Sequence, residues 1–465
     1  MSESRSEPKR ARPSDTARDV PFAMDVPDRV RKERYFDPEF FKLEAEALWP
    51  RVWQMACRLE EIPNPHDFVE YSILDQSVIV VRGEDMTVKA FHNACRHRGV
   101  RLVEGPGTSA SGFTCPFHGW CYGTDGKNTF VSRPGTFSEH NLAPGEVDLV
   151  PVQCELYGGC AWINLDATAP SLRQSMEPFA TYMDAWQLDT MTAEWWYSFR
   201  LPVNWKLAEE AFMEQYHVLE THPQLRIPGR YPQRNKPFDA KVFLDSELHY
   251  LRVMSEGMAG MVHANDVKIA EEVQASVLNG AGLPDDPAEA RAAWEHTLNA
   301  AVVEWHRSQG HVIPDLNEIE AAGLTEPMVY CFPHFFVLPM YSSASAYRFR
   351  PVGPEETLME IWSLTRSPEN EERPKPTPPT PWAHDDPRVP PIPTQDFSNL
   401  PRQQRGLHSL SIEYMRLSEQ IEGHISNFHR TIDGYLAGRS HDELLGAVKE
   451  LNINPLERPV VDLGF

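Results

Sequence analysis

Cys95-Arg96-His97 and Cys115-Pro116-Phe117-His118-Gly119-Trp120 are the two short segments around which this sequence is organised. Together they offer two thiols and two imidazoles, as a C-x-H and a C-x-x-H cluster. Sets of two cysteines and two histidines hold either a structural zinc ion or an iron–sulfur cluster. Because a metal site needs side chains that converge from separate chain segments, we expect the two clusters to occupy adjacent loop tips.

The order of the ligands along the chain separates these two alternatives. Zinc fingers pair cysteine with cysteine and histidine with histidine, whereas each cluster here carries one of each. This order suits a [2Fe–2S] centre in which one iron binds the two thiolates and the other binds the two imidazoles. At Cys95, His97, Cys115 and His118 the sequence resembles the Rieske family. A zinc-stabilised structural protein is the alternative, and it predicts a colourless preparation.

Charge and cysteine usage restrict the possible partners. The chain of 465 residues has a net charge of -23, which argues against binding to nucleic acid or to an anionic membrane surface. No apolar run reaches the roughly 18 residues of a membrane span, and the N-terminus lacks the apolar core of a signal peptide. Five of the seven cysteines lie outside the clusters, an odd number that favours a reducing cytoplasm over a disulfide framework.

Sequence patterns predict an α+β protein of four parts. Residues 1–28 are polar and predict a disordered tail, and residues 29–55 predict a helical segment that packs with a larger second domain. Short β-rich segments separated by turn residues predict a small all-β domain over 56–166. Residues 167–465 predict helices and an antiparallel sheet, with an extended proline-rich connection over 367–394.

The segment 204–223, with sequence NWKLAEEAFMEQYHVLETHP, predicts a second metal site. Glu214 and His217 are three residues apart and would share one face of a helix. His222 precedes a proline, which biases it out of the helical region, so the helix should end near Thr221 and let His222 turn back towards His217. Two imidazoles and one distant carboxylate form the facial triad of non-haem Fe(II) oxygenases. A chance pair of histidines is the alternative.

Taken together, the two stretches resemble the large (α) subunits of Rieske non-haem iron oxygenases of the aromatic ring-hydroxylating group. The resemblance runs from about residue 30 to the C-terminal helix and implies a helix-grip-like catalytic domain over 167–465. It also implies that His217 and His222 bind a mononuclear iron. In this family the acidic residue that matches Glu214 bridges the Rieske cluster of one subunit to the iron of its neighbour.

The resemblance also implies a third iron ligand, an aspartate late in the chain. The best match is Asp396, because it lies in a Gln-Asp segment similar to that of the family. Asp385, Asp386 and Glu422 are the alternative ligands, and a helix N-cap is the alternative role for Asp396.

The implied activity is that of a terminal oxygenase in aromatic compound catabolism. A ferredoxin or flavin reductase would supply electrons through the Rieske cluster to Fe(II), where O₂ is activated and a small organic substrate is hydroxylated. Phe212, Met213, Val218 and Leu219 flank the histidines and are candidates to line the substrate pocket, with core packing as the alternative. Many relatives carry Asn where this chain has Ala211, which affects substrate positioning and leaves iron binding intact.

The family's subunits assemble head to tail as trimers, so the resemblance implies a homotrimer and leaves open a small β subunit. Two other functions remain as alternatives. An N- or O-demethylating Rieske monooxygenase would use the same two iron sites. A Rieske electron-transfer protein would have no second iron, and most of the chain after residue 170 would then have no assigned role.

Overall fold

The computed structural model describes residues 20–143, 145–230, 237–257, 261–280, 282–368, 375–453 and 459–465. Residues 1–19 of the predicted disordered tail lie outside this set. The prediction is wrong for residues 20–28, because Val20 and Met24 are buried and the Met24 amide donates to Asp433 Oδ2 at 2.9 Å. A few apolar side chains in a mostly polar stretch are enough to anchor this segment.

Helices of the described residues lie mainly in the second half of the chain. They are α1 (Pro38–Ala47), α2 (Leu172–Met176), α3 (Phe179–Ala185), α4 (Trp205–Glu210), α5 (Val218–Thr221), α6 (Ala240–Gly257), α7 (Ala264–Asn279), α8 (Pro287–Ser308), α9 (Leu316–Ala321), α10 (Pro391–Leu407), α11 (Gly423–Leu436) and α12 (His441–Leu451). Among the described residues, no helix combines the length and the apolar composition that a bilayer crossing requires.

The strands form two main sheets, antiparallel except for one edge strand, and two small ones. They are β1 (Arg29–Arg31), β2 (Gln54–Arg58), β3 (Asp67–Ile73), β4 (Gln76–Arg82), β5 (Val88–His92), β6 (Gly107–Thr108), β7 (Phe113–Thr114), β8 (Cys121–Tyr122), β9 (Asn128–Phe130), β10 (Pro151–Tyr157), β11 (Cys160–Asn164), β12 (Met191–Leu201), β13 (Val329–Cys331), β14 (Phe335–Met340), β15 (Ser343–Gly353), β16 (Glu356–Arg366), β17 (Trp382–Ala383) and β18 (Tyr414–Arg416). The fold class predicted from the sequence is therefore confirmed.

The first domain is built on a seven-stranded sheet in the order β2-β11-β10-β5-β4-β3-β6. Its strand β4 is apolar on both faces because both faces are covered. Val78 and Val80 belong to the large core shared with the second domain, whereas Ile79 and Val81 belong to a separate core beneath the small sheet β7-β8-β9. Alternate residues of a strand point to opposite faces, so one strand holds together two layers. The small sheet carries the second ligand cluster.

The second domain is built on a six-stranded sheet in the order β13-β14-β15-β16-β12-β17. Strand β12 has the aromatic-rich sequence expected of a strand, and it pairs with β16 from Met191 opposite Arg366 to Leu201 opposite Thr357. Helix α8 begins at Pro287 with Asp286 as its N-cap, and the Asp286 carboxylate accepts from the amides of Ala288 at 2.9 Å and Glu289 at 3.0 Å.

Two predicted elements differ from the structure. The helix expected through the metal motif is interrupted, because α4 ends at Glu210 and α5 begins only at Val218. The proline-rich connection is shorter than 367–394: residues 369–374 lie outside the described set, a short strand β17 pairs in parallel with β12, and α10 begins at Pro391. Proline is favoured in the first turn of a helix, where its missing N–H costs nothing.

The N-terminal segment packs against the second domain, as its pattern predicts. Glu44 on α1 and Lys206 on α4 form an ion pair of 2.7 Å in which the two side chains are 1% and 0% exposed. The Trp205 indole N–H also donates to Glu44, at 3.2 Å. This buried pair connects the start of the chain to the helix that precedes the second metal motif.

We predict that Glu44→Gln lowers the free energy of unfolding by about 3–5 kcal/mol, because it leaves the Lys206 ammonium buried without its counter-charge. Glu46→Gln on the same helix is the matched control: Glu46 faces Lys42 at 4.0 Å with both side chains 65% exposed. Its effect should stay below about 0.5 kcal/mol. Urea unfolding followed by tryptophan fluorescence measures both values, and equal effects would contradict this assignment.

Candidate active site

The first ligand set lies on two loops of similar geometry. In each loop the amide of a glycine four residues after the cysteine donates to the cysteine carbonyl, from Gly99 to Cys95 at 2.8 Å and from Gly119 to Cys115 at 3.0 Å. Both glycines have positive φ, 78° and 73°, a conformation that residues with a Cβ rarely adopt. The sequence therefore closes each loop tightly around its ligands.

The predicted cluster ligands approach each other in two pairs, Cys95 with Cys115 and His97 with His118. His97 Nδ1 and His118 Nδ1 lie 3.1 Å apart, and the Trp120 ring stacks on His97 with the centroids 5.1 Å apart. Cys95 and Cys115 are buried, and burial together with the neighbouring Cys115 thiol raises the pKa of Cys95. Two buried thiols opposite two more exposed imidazoles are the donor set that a [2Fe–2S] cluster of mixed ligation requires.

The second ligand set comes from the two residues that flank α5 and from α10. His217, His222 and Asp396 each offer a ligand atom, and these atoms lie within 4.8 Å of one another. Asp396 Oδ1 is 3.2 Å from His222 Nε2 and 3.7 Å from His217 Nε2. His222 is the residue after α5 and has left the helical region, with φ -117° and ψ 72°, so its ring turns back towards His217. Asp396 lies inside α10 and does not act as its N-cap.

Both histidines are oriented by a hydrogen bond on the nitrogen that faces away from Asp396. His217 Nδ1 lies 2.5 Å from Glu214 Oε1, and His222 Nδ1 lies 2.7 Å from Gln395 Oε1. Carboxylate and amide oxygens are acceptors, so each ring carries its proton on Nδ1 and presents the lone pair of Nε2. Metal-binding histidines are held in this way. The donor set therefore fits a divalent iron ion bound by two imidazoles and one carboxylate.

Glu214 lies next to this site, in a segment of turns. Its Oε2 accepts from the His217 amide at 3.0 Å, which fixes the carboxylate against its own chain. Burial and the nearby Glu214 carboxylate raise the pKa of Glu422. Asp386 instead pairs with Arg388 at 2.7 Å on the surface. Of the carboxylates considered as a third ligand, the structure brings Asp396 to the two histidines.

The four residues predicted to line a substrate pocket have different environments. Phe212 packs on a buried aromatic cluster, with its centroid 4.8 Å from that of Phe336 and 5.2 Å from that of Tyr347. Met213 is buried, Val218 is half-buried, and Leu219 is 48% exposed. None of the four is among the described residues that line the cavity beside His217 and Asp396. Their role in a substrate pocket therefore stays a prediction.

The cavity beside the ligands measures about 310 Å³ and is rich in carboxylates. Glu210, Glu214 and Glu422 line it together with Asp396, and both apolar and polar side chains, several of them from α10, form the rest of its wall. It extends from the ligands to Arg416, which is exposed.

Two functional residues were missed by sequence reasoning. Gln395 and Gln224 form a reciprocal pair of amide hydrogen bonds, of 2.8 and 3.1 Å, which fixes the oxygen that accepts from His222. The Gln-Asp segment contained a signal for Gln395, because it lies next to the predicted ligand. No local pattern marks Gln224, since its role depends on a contact between distant parts of the chain.

Comparisons with known proteins agree with this geometry. The sequence-family model of the Rieske [2Fe-2S] domain matches residues 52–138 of this chain. The family model of the ring hydroxylating alpha subunit (catalytic domain) matches residues 182–438. The anthranilate 1,2-dioxygenase large subunit of Acinetobacter baylyi is 34% identical over 202 residues, 42% of this chain and 42% of that protein. The carnitine monooxygenase oxygenase subunit of Escherichia coli is 30% identical over 191 residues, 41% of this chain and 50% of that protein.

The aligned regions thus cover half or less of these two curated relatives. Solved structures match over most of the chain. The apo form of a quaternary ammonium Rieske monooxygenase superposes with a TM-score of 0.57 at 17% identity, over 89% of this chain and 97% of that one. A naphthalene 1,2-dioxygenase mutant bound to phenanthrene superposes with a TM-score of 0.59 at 18% identity, over 93% and 97%. These likenesses show the fold.

We predict that Asp396→Asn lowers the iron content by the one mononuclear ion and leaves the cluster intact, because an amide oxygen is a weaker ligand than a carboxylate. Glu422→Gln is the matched control, since Glu422 lines the same cavity and was an alternative ligand. Iron and sulfide analysis together with EPR of the reduced cluster measures both sites. Full iron in the first variant, or loss of iron in the second, would reassign the third ligand.

Proposed function

This chain belongs to the family of ring-hydroxylating oxygenase α subunits, and on that premise we propose that it is the terminal oxygenase component of a Rieske system. In this proposal it accepts electrons at the [2Fe–2S] cluster, passes them to a mononuclear Fe(II) site and uses O₂ to hydroxylate a small organic substrate. The observation that carries the proposal is the convergence of His217, His222 and Asp396, with both imidazoles oriented by hydrogen bonds on Nδ1. An electron-transfer protein would not need this second site.

The metal ligands and the residues that orient them have different roles in the proposed site. Fe(II) bound by two imidazoles and one carboxylate supplies open positions for dioxygen and the capacity to reduce it. Gln395 and Glu214 hold the two rings so that both Nε2 lone pairs face Asp396. The carboxylate offsets part of the metal's charge. The 310 Å³ cavity on one side of the ligands keeps this site connected to the exterior.

We propose that electrons reach the iron from a neighbouring subunit. The histidine side of the cluster is its exposed side, and Phe117 beside it is 58% exposed. None of the cluster ligands is among the described residues lining the cavity at the mononuclear site. Glu214, already bonded to His217, is the candidate bridge to the partner's cluster. This route requires an oligomer, for which a head-to-tail homotrimer is proposed, with a ferredoxin or flavin reductase as electron donor; a small β subunit remains compatible.

Two substrate classes follow from the relatives. The match to an anthranilate dioxygenase supports hydroxylation of an aromatic substrate, which is the first proposal. The matches to carnitine and glycine betaine monooxygenases support a second candidate, oxidation of a quaternary ammonium compound, in which C–H hydroxylation next to nitrogen leads to demethylation or C–N cleavage. A cytoplasmic location is proposed because all seven cysteines are unpaired thiols, as a reducing compartment favours.

We predict substrate-dependent O₂ uptake by the purified chain when a surrogate ferredoxin or flavin reductase and reduced nicotinamide are supplied. The screen should include anthranilate and other aromatic acids, naphthalene, carnitine and glycine betaine, with the products identified by mass spectrometry. ¹⁸O₂ labelling distinguishes one inserted oxygen atom from two.

The double variant His217→Ala/His222→Ala is the control for this screen. It should keep the visible spectrum of the cluster and lose all O₂ uptake, because the cluster ligands are untouched while both imidazole ligands of the iron are removed. Substrate-dependent uptake that persists in this variant would overturn the proposed function.

A further inference from the structure

A buried hydrogen-bond network ends in the wall of the iron cavity. Tyr35 Oη donates to Glu210, at 2.9 Å from Oε1 and 3.1 Å from Oε2, and His429 Nε2 lies 2.7 Å from Glu210 Oε1. Tyr35 and His429 are fully buried and Glu210 is 5% exposed. Glu210 also lines the cavity that holds His217 and Asp396. The network thus connects the iron cavity to the N-terminal segment and to α11.

The neighbours of His429 determine which of its nitrogens carries the proton. Arg34 Nε donates to His429 Nδ1 at 3.1 Å, and a guanidinium is always a donor, so Nδ1 must be the acceptor. The ring proton is therefore on Nε2 and points at Glu210. Burial, with the charges of Arg34 and Lys206, lowers the pKa of His429 well below its usual value, so the ring stays neutral. Two fixed donors, Tyr35 and His429, thus face the Glu210 carboxylate.

The two donors stabilise the ionised form of Glu210, whereas its burial and the nearby Glu422 carboxylate favour the protonated form. Arg34 pairs with Asp433 at 2.5 Å and Lys206 pairs with Glu44 at 2.7 Å, so the two buried cations are already compensated. An ionised Glu210 would add an unbalanced buried negative charge. Burial raises the pKa of Glu210 to about 8, against the opposing effects of Tyr35, Lys206 and Arg34, and Glu422 raises it further. Both protonation states are therefore accessible near neutral pH.

Other ionisable side chains lie near the Glu210 carboxylate, both on its own helix and on the elements packed against it. Glu209 and Lys206 belong to its own helix α4, and Glu209 carries a pKa raised well above its usual value by burial. Glu214, Glu422 and the exposed Arg416 line the same cavity. Among the described cavity-lining residues, Glu210 is the one held by the Tyr35–His429 network.

We propose that Glu210 is the proton donor of the oxygenase reaction, positioned by Tyr35 and His429. This inference rests on the proposed function. A monooxygenation combines a substrate C–H bond, O₂, two electrons and two protons into an alcohol and water, and a cis-dihydroxylation consumes the same electrons and protons to place both oxygens on the substrate. The reduced ferredoxin or flavin reductase supplies the electrons, and Glu210 donates a proton into the cavity. The cavity, which reaches exposed Arg416, lets solvent return that proton to the carboxylate.

The first test needs no turnover. Infrared difference spectra of the purified holoprotein between pH 6 and 10 should show a protonated-carboxyl band that disappears with a midpoint near the pKa of about 8. Glu210→Gln should remove this band. Glu209→Gln, the neighbouring buried acid on the same helix, is the matched control and should keep it. A band that persists in Glu210→Gln, or that is lost only in Glu209→Gln, overturns the assignment.

The second test measures single-turnover product formation from pre-reduced enzyme. Proton donation by a positioned side chain contributes roughly 10²–10⁴-fold to rate, so Glu210→Gln should slow product formation by about tenfold or more while iron content and cluster EPR stay normal. The wild-type rate should fall as the pH rises through the pKa of Glu210, because the donor form is lost. The variant should lack this step.

The variant Tyr35→Phe tests whether Tyr35 positions the Glu210 carboxyl group or only contributes to packing. It removes a donor that stabilises the ionised carboxylate, so the pKa of Glu210 should rise and the falling limb of the rate profile should move to higher pH. An unchanged pH profile in both Glu210→Gln and Tyr35→Phe overturns the proposal while leaving the oxygenase function intact. If wild-type protein takes up no O₂ with any substrate, the proposed function has failed, and the infrared result alone decides whether Glu210 holds an exchangeable proton.

Discussion

Burial of charge on helix α4 is the constraint on which the rest of the catalytic domain depends. All six residues of α4 are buried, and three of them, Lys206, Glu209 and Glu210, carry ionisable side chains. Buried ionised groups are tolerated when they are paired and hydrogen-bonded. Lys206 pairs with Glu44 of the N-terminal segment. Glu210 accepts from Tyr35 of that segment and from His429 of α11, which explains why both elements pack here. The segment that carries the iron ligands follows directly from this helix.

Bringing the imidazole rings of His217 and His222 close together does not by itself orient them for metal binding. The turn at His222 brings the two imidazoles together, yet a ring free to rotate would present either nitrogen. Glu214 and Gln395 remove this freedom through bonds to Nδ1. One of these partners is local and the other arrives on α10 beside Asp396. Helix α10 thus supplies both Asp396, the carboxylate ligand, and Gln395, which orients His222. A shift of this helix would therefore move both groups.

The two metal sites differ in what holds them. The cluster loops are closed by local glycine turns and backed by a small core of their own, independent of the large shared core. The mononuclear site depends on contacts between segments more than 170 residues apart, such as His222 with Gln395. Arg348 joins the domains, donating to the carbonyls of Met55 at 2.8 Å and Ala56 at 2.7 Å. Changes in domain packing should therefore affect the iron site more than the cluster.

The resemblance to the oxygenase family, and not residue spacing, predicted Asp396 as a ligand. Residue types and spacings predicted the four cluster ligands, the pair His217 and His222, and the α+β class. These features depend on local rules: ligand chemistry, strand alternation, and the effect of proline on the preceding residue. Only the tertiary structure decided that residues 20–28 are packed, that the metal motif breaks its helix, and which residues line the cavity beside His217 and Asp396. The same holds for Gln224, Tyr35 and His429, which reach the site from distant segments. Such contacts are set by how whole elements pack, and no short window of sequence records that packing.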